Sequence, residues 1–305
     1  MTVGFIGLGN MGRNMALRLL DRGVELIVSD IDEQAAKEVI AAGASWAADA
    51  AELAAACDLV LSSLPGPPQV EQVAVGGRGI IEGIRPGALY VDLSTSSPTL
   101  IRRIDERLAA VGARAIDAPV SGGSSQSRAG ALTVMVGGED ELFSRAAPVL
   151  SHLARQLLHV GPLGAGSIAK LVNNAVGLST LSLLSEVFAL AAKAGIDHRT
   201  LLKVLREGAY GQGAFLSFML PEVAFPMRYD PPGFALALGR KDLGLATQLG
   251  RELNVPMPMV NLVEQAAVEL VNRGHADKDT TIIFSLEELR AGVSLHDEDA
   301  QEFTL

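Results

Sequence analysis

The sequence predicts an α/β protein in which a doubly wound sheet fills the first half and an all-α domain the second, joined through one long helix. Three observations predict this. Short apolar runs alternate with helical segments as far as Gly161-Pro162, and beyond that point strand signals stop. Gly164 to Gly195 then runs without proline and is apolar on nearly every face. At about 1.5 Å per residue it makes a helix of about 45 Å, long enough that it is expected to cross the core, covered on all sides.

The chain opens with Val3-Gly-Phe-Ile6, a short strand, followed at once by Gly7-Leu8-Gly9-Asn10-Met11-Gly12 and a helical segment from Asn14 to Arg22. Strand, glycine turn and helix stand in the order that a dinucleotide fingerprint demands. Gly7 permits the tight turn, Gly9 lets backbone approach a pyrophosphate, and Gly12 lets helix and strand pack closely. The second strand, Glu25 to Asp30, places Asp30 at its C-terminal end, where an acid hydrogen-bonds a ribose 2′-hydroxyl; the alternative is a loop acid capping the next helix. Ile31 and Asp32 follow with no Arg or Lys before Lys37, which favours NAD over NADP.

Strands are further expected at Asp58–Ser62, Ala88–Asp92, Ala113–Asp117, Leu132–Val136 and Gln156–Val160. Helices are expected at 34–41, 49–56, 69–73, 98–111 and 140–153, which makes this half a doubly wound Rossmann sheet. Ligands of such sheets sit beyond the carboxyl ends of the strands. Leu64-Pro65, Ser94-Thr95 and Ser121-Gly122-Gly123 are therefore expected to converge on one crevice. Ser121-Gly122-Gly123 either points successive backbone N–H groups into an anion-binding concavity or is a plain turn opening a helix at Ser124.

In the long helix Lys170, Asn173, Asn174 and Gly177 fall at i, i+3, i+4 and i+7, so one face carries an amine, two amides and a gap. A lone Lys can simply snorkel to water, but two adjacent amides beside it in an apolar helix need partners and read as the floor of a site. In such a site desolvation lowers the amine's pKa, and Lys170 can exchange a proton with a substrate hydroxyl while Asn174 holds the oxygen or orients the amine. Further helices are expected at 198–207, 213–224, 235–253, 259–272 and 279–290. The boundaries read as 1–162 for the dinucleotide-binding domain, 163–292 for the helical domain and 293–305 for an acidic, poorly ordered tail.

Across its 305 residues the chain is 49% apolar with a formal net charge of −10, which disfavours nucleic acid or an anionic membrane as a standing partner. The single cysteine, Cys57, excludes an intramolecular disulfide and fits a reducing, cytoplasmic setting. No metal-ligand cluster has a characteristic spacing, so no metal is expected.

Four stretches together resemble the β-hydroxyacid dehydrogenases, a family that includes 3-hydroxyisobutyrate dehydrogenase and tartronate semialdehyde reductase. They are Gly4 to Gly12, Asp117-Ala-Pro-Val-Ser-Gly-Gly123, Gly164 to Asn174, and Lys241-Asp-Leu-Gly-Leu-Ala246. The resemblance spans Val3 to about Arg290. It implies hydride transfer between NAD(P) and a small 3-hydroxy acid or its semialdehyde, with Lys170 as acid/base and Asn174 and Asn173 as its partners. It also implies Ser121, Gly122 and Gly123 on the substrate carboxylate, and Lys241 as a substrate-binding residue that closes the cleft. Near the cofactor it implies Leu64, Pro65, Gln69, Thr95, Phe234 and Lys241, beside the turn residues Gly7 to Gly12 and Asp30. Without it Lys241 reads as a solvated helix charge. It implies a homodimer or homotetramer formed through the helical domain. Gly66-Pro67-Pro68 and Ser124-Ser125-Gln126 depart from the commonest family sequences and leave the substrate's distal end open. A catalytically silent dinucleotide-binding module and an imine reductase of the same architecture are the competing readings; retention of Lys170 weighs against both.

Overall fold

A computed structural model describes residues 1–297. Nine strands form one sheet: β1 (Val3–Ile6), β2 (Leu26–Ser29), β3 (Ser45–Trp46), β4 (Leu59–Ser62), β5 (Leu89–Asp92), β6 (Arg114–Asp117), β7 (Val120–Ser121), β8 (Leu132–Gly137) and β9 (Ala154–Gly161). Between them lie α1 (Asn10–Asp21), α2 (Glu33–Ala41), α3 (Ala50–Ala56), α4 (Pro67–Val75), α5 (Ile80–Gly83), α6 (Pro98–Ala109), α7 (Ser124–Ala129) and α8 (Asp140–Leu150). The order β3-β2-β1-β4-β5-β6 is parallel throughout, with Val3 paired to both Leu26 and Leu59. Strands in such a sheet are covered on both faces. All four residues of β1, β4 and β5 are accordingly buried. Beyond β6 the sheet departs from a purely parallel winding: β8 runs antiparallel to β6 and β7, and β9 pairs parallel to β8.

By its contacts the chain divides into one compact unit from Met1 to Val176 and a second from Gly177 onward. The sequence reading places this division at 162/163; the later position arises because the first turns of α9 (Ala165–Lys193) pack on the sheet. A Cβ on Gly166 would lie 2.3 Å from the Met135 carbonyl oxygen, so only glycine lets the helix start this close to β8.

The second unit contains α10 (His198–Glu207), a π-helical segment at Phe215–Ala224, α11 (Leu236–Glu252), α12 (Pro258–Asn272) and α13 (Ile283–Ala291). The expected α-helix at 213–224 is wound wider because Pro221 lies inside it, lacking an N–H and crowding the preceding turn. Asp279 caps a 3₁₀ turn at Thr280–Ile282 that leads into α13. Glu186, buried on α9, accepts the N–H groups of Met259 and Val260 at the start of α12.

The expectation that α9 is covered on all sides is not met within one chain. Leu178 and Leu181 are 68% and 64% exposed, and α10 buries no residue. By length and composition alone α9 could cross a membrane, with a mean hydropathy of 1.7 over 18 residues, but Lys170, Asn173, Asn174 and Glu186 interrupt it. Of the acidic tail, 293–297 lacks helix or strand yet is tied down, Asp297 N–H donating to the Phe225 carbonyl; 298–305 lie outside the described residues.

Candidate active site

The dinucleotide turn is built by backbone. Gly7 has φ +90°, and a Cβ there would lie 2.4 Å from the Ser63 carbonyl oxygen; one on Gly12 would lie 1.8 Å from that of Gly7. Gly9 instead faces open space, and α1 starts at Asn10, so unpaired helix N–H groups face the space that a pyrophosphate would fill. Asp30 accepts the Leu8 N–H at 2.5 Å through one oxygen and the Asp32 N–H at 2.9 Å through the other. It thereby ties β2 to the turn while each oxygen keeps a lone pair for a ribose hydroxyl. Gly7, Gly9, Asp30, Leu64, Pro65 and Gln69 line one cavity of about 740 Å³. Leu8 and Met11 instead pack into the core, Asn10 accepts from Ser124 Oγ, and Thr95 is exposed after β5.

Among the lining residues that the sequence reading does not assign to the site, Ile31 and Arg78 stand out. Ile31 is fully exposed, an apolar surface suited to an adenine face. Arg78, which follows α4, brings a guanidinium into the cavity where no cation is expected, although Asp49 pairs with it. Only tertiary structure brings residue 78 to the cavity that residue 30 lines.

A buried polar chain holds the strand ends. Ser94 Oγ accepts the Leu64 N–H at 2.9 Å, and Asp92 accepts from Ser94 N–H at 3.0 Å and Ser62 Oγ at 3.1 Å. Tyr90 OH lies 2.8 Å from the same Ser62 oxygen. Asp92 is 1% exposed, and burial pushes its carboxyl up to about 6.

The Lys170 helix is clamped from β6. Asp117 accepts the Gly164 N–H at 2.8 Å and the Ser167 N–H at 2.5 Å, satisfying amides at the helix start that have no partner within it. Burial nevertheless raises its carboxyl, with these backbone bonds opposing the shift. Lys170 sits about one turn further on, half-buried, and desolvation holds its ammonium below the ordinary amine value. Among the described residues no carboxylate forms an ion pair with it. Asn173 Nδ2 donates to Ser121 Oγ at 3.3 Å and to Asn174 Oδ1 at 3.4 Å, both at long reach. Ser121, Asn173, Asn174 and Lys170 thus stand along one edge.

Gly122 has φ +139°, and a Cβ there would lie 2.7 Å from a Leu132 methyl, so the turn requires glycine. The Gly123 N–H donates to Gln126 Oε1 at 2.5 Å. Ser124 Oγ accepts from Asn14 Nδ2 at 2.8 Å and donates to Asn10 Oδ1 at 3.1 Å, linking this turn to the dinucleotide turn.

Lys241 and Phe234 belong to the second unit. Lys241 Nζ pairs with Asp242 at 3.1 Å on an exposed face of α11, and the Phe234 N–H donates to Asp279 while its ring is part exposed. Among the described residues no group of three or more His, Cys, Asp or Glu could hold a metal ion.

A glycine cradle, an acid at the second strand's end and a helix-borne amine define the class: a dinucleotide-binding oxidoreductase. Residues 2–161 match the family described as the NAD binding domain of 6-phosphogluconate dehydrogenase, and 164–286 match the NAD-binding region of NADP-dependent 3-hydroxyisobutyrate dehydrogenase. The chain is 35% identical to a 2-(hydroxymethyl)glutarate dehydrogenase of Eubacterium barkeri, over 96% of this chain and 97% of that one. It is 34% identical to an NAD-dependent L-serine dehydrogenase of Pseudomonas aeruginosa, over 93% and 97%. A solved 3-hydroxyisobutyrate dehydrogenase of Mycobacterium tuberculosis with L-serine is 30% identical, with a TM-score of 0.65 over 93% of this chain and 98% of that one. The chain belongs to the β-hydroxyacid dehydrogenase family and is an NAD(P)-dependent oxidoreductase. An imine reductase from a Pseudomonas species, 17% identical with a TM-score of 0.79 over 94% of this chain and 99% of that one, shares the fold alone.

Proposed function

We propose that this enzyme oxidises a small 3-hydroxy acid, or reduces the corresponding semialdehyde, with NAD as the preferred cofactor and Lys170 as acid/base. The observation that carries this is Lys170 itself: an amine without an acidic partner among the described residues, its pKa lowered by burial, on a helix clamped by Asp117 and edged by Asn173, Asn174 and Ser121. The compounds named for the three relatives, 2-(hydroxymethyl)glutarate, L-serine and 3-hydroxyisobutyrate, share a primary hydroxyl one carbon removed from the carbon that bears the carboxylate.

When bound, the nicotinamide takes up or supplies the hydride. Neutral Lys170 Nζ accepts the substrate hydroxyl proton as the carbinol C–H leaves as hydride, and the C–O bond becomes a carbonyl. In reduction the Lys170 ammonium returns that proton to the carbonyl oxygen. Asn174 holds this oxygen, and the Ser121-Gly122-Gly123 turn takes the carboxylate. Asp30 reads the ribose, and Asp49, which lines the same cavity and pairs with Arg78, offsets part of that guanidinium's pull on a 2′-phosphate. Thr95 borders the nicotinamide end, and Phe234 and Lys241 of the second unit are further site residues that the family resemblance implies.

The test is turnover of tartronate, methylmalonate and succinate semialdehydes with NADH and NADPH, and of 3-hydroxyisobutyrate, glycerate and L-serine in reverse. Turnover favouring NADH supports the reading; silence across the panel with tight NADH binding favours the binding-module alternative. The exposed apolar side chains of α9 and α10 support a homodimer or homotetramer. Light scattering is expected to give at least twice the chain mass of 31.9 kDa. Buried Cys57, whose thiol is pushed up to about 11 by burial, is inert and suits a cytoplasmic protein.

A further inference from the structure

The turn proposed for the substrate carboxylate is not bare backbone. Its last N–H, on Gly123, is bound by Gln126 Oε1 at 2.5 Å, and the same oxygen would lie 3.1 Å from a Cβ built on Gly123 and 3.7 Å from one built on Gly122. The carboxamide therefore lies against the glycines, although Gln126 is an exposed residue on the first turn of α7. An amide whose oxygen accepts from the turn still has two N–H donors on the adjacent nitrogen. An anion arriving at this turn then finds the Gly123 N–H already taken, with the carboxamide N–H groups of Gln126 beside it.

We infer that Gln126 determines substrate specificity: its Nε2 donates to the substrate carboxylate in place of the Gly123 backbone, beside Ser121 Oγ and the Asn173 amide that reaches it at 3.3 Å. This rests on the carboxylate reading of the turn. Its consequence is that the anion sits one side-chain amide further out than bare glycines would hold it, and the pocket accepts a carboxylate only where a carboxamide can reach it.

Gln126→Glu separates this from a structural role. A glutamate still accepts the Gly123 N–H but replaces the donor with a negative charge. KM for 3-hydroxyisobutyrate is expected to rise about 10-fold or more, with a smaller loss in kcat, while KM for its neutral amide stays within about 2-fold. Unchanged KM for the acid overturns the inference, as does an equal rise for acid and amide, since that marks a disturbed turn. Ser121→Ala, measured alongside, distinguishes the two levels. If it raises KM for the acid and Gln126→Glu does not, the Gln126 role fails and the carboxylate turn stands. If neither variant moves KM, the carboxylate reading fails.

Discussion

The first unit carries two glycine turns that both follow strands and both precede helices, and they are finished in opposite ways. After β1 the turn is left open: Gly9 faces empty space, and the nearest carboxylate, Asp30, binds the turn from the side. After β7 the turn is filled: Gln126 covers the Gly123 N–H, Asn173 reaches Ser121, and Asp117 ties the Lys170 helix to the strand just before it. Backbone alone suits a ligand part common to many enzymes, a pyrophosphate. Side chains finish the turn that lies beside the proposed substrate and acid/base residues.

The largest break is expected at the filled turn. Lys170→Ala is predicted to lower kcat for hydroxy acid oxidation by about 10³-fold, the scale of a lost general base, while the dissociation constant for NAD, measured by titration, stays within about 2-fold. With Lys170 as the proposed acid/base, oxidation requires the neutral amine. The rate of oxidation should therefore rise with pH through a pKa below the ordinary amine value, and reduction, which needs the ammonium, should fall through it. A variant retaining near-normal kcat would remove Lys170 from the chemistry.

The contrast also explains what the sequence made legible. The open turn is readable because close approach and positive φ demand glycine at Gly7 and Gly12, and residue type alone betrays them. Lys170, Asn173 and Asn174 are readable because helical spacing puts them on one face. Asp117 stands in a quoted motif, yet its partners Gly164 and Ser167 lie 47 and 50 residues away, and nothing local announces a clamp. The Gln126 contact depends on the shape of a turn, and the Arg78 position on the route of the chain after α4. The exposure of α9 is not legible for a different reason: an apolar run has the same sequence pattern whether or not its own chain covers it.

Asp30→Ala tests the open turn. A charged acceptor to a ribose hydroxyl is worth about 1.5–3 kcal/mol, so NAD binding should weaken about 10- to 100-fold and NADP binding much less. Fluorescence titration with NADH and NADPH measures both. Equal losses would mean that Asp30 serves only to hold Leu8, and that the cradle is as structural at its ribose end as at Gly12.

The smallest predicted effect concerns the strand-end chain through which Ser94 holds the Leu64 loop. Asp92 is buried with its carboxyl pushed up to about 6, so the native state binds this proton more tightly than the unfolded chain, where the value is 3.8. The contribution to stability is fully present below the unfolded value and is lost as pH rises through the folded one. At about 1.4 kcal/mol per pKa unit, the loss between pH 4 and pH 6.5 is about 2–3 kcal/mol. Asp92→Asn keeps an oxygen for Ser94 N–H and Ser62 Oγ and has no proton to lose. Its stability should therefore fall less over that interval than that of the unaltered protein. Urea unfolding followed by the fluorescence of Trp46, the single tryptophan and a residue of β3, reads the sheet unit directly. Parallel pH profiles for the two proteins would place the proton elsewhere, Asp117 being the next buried carboxylate, and would move the pH-sensitive group from the open turn's neighbour to the filled turn's clamp.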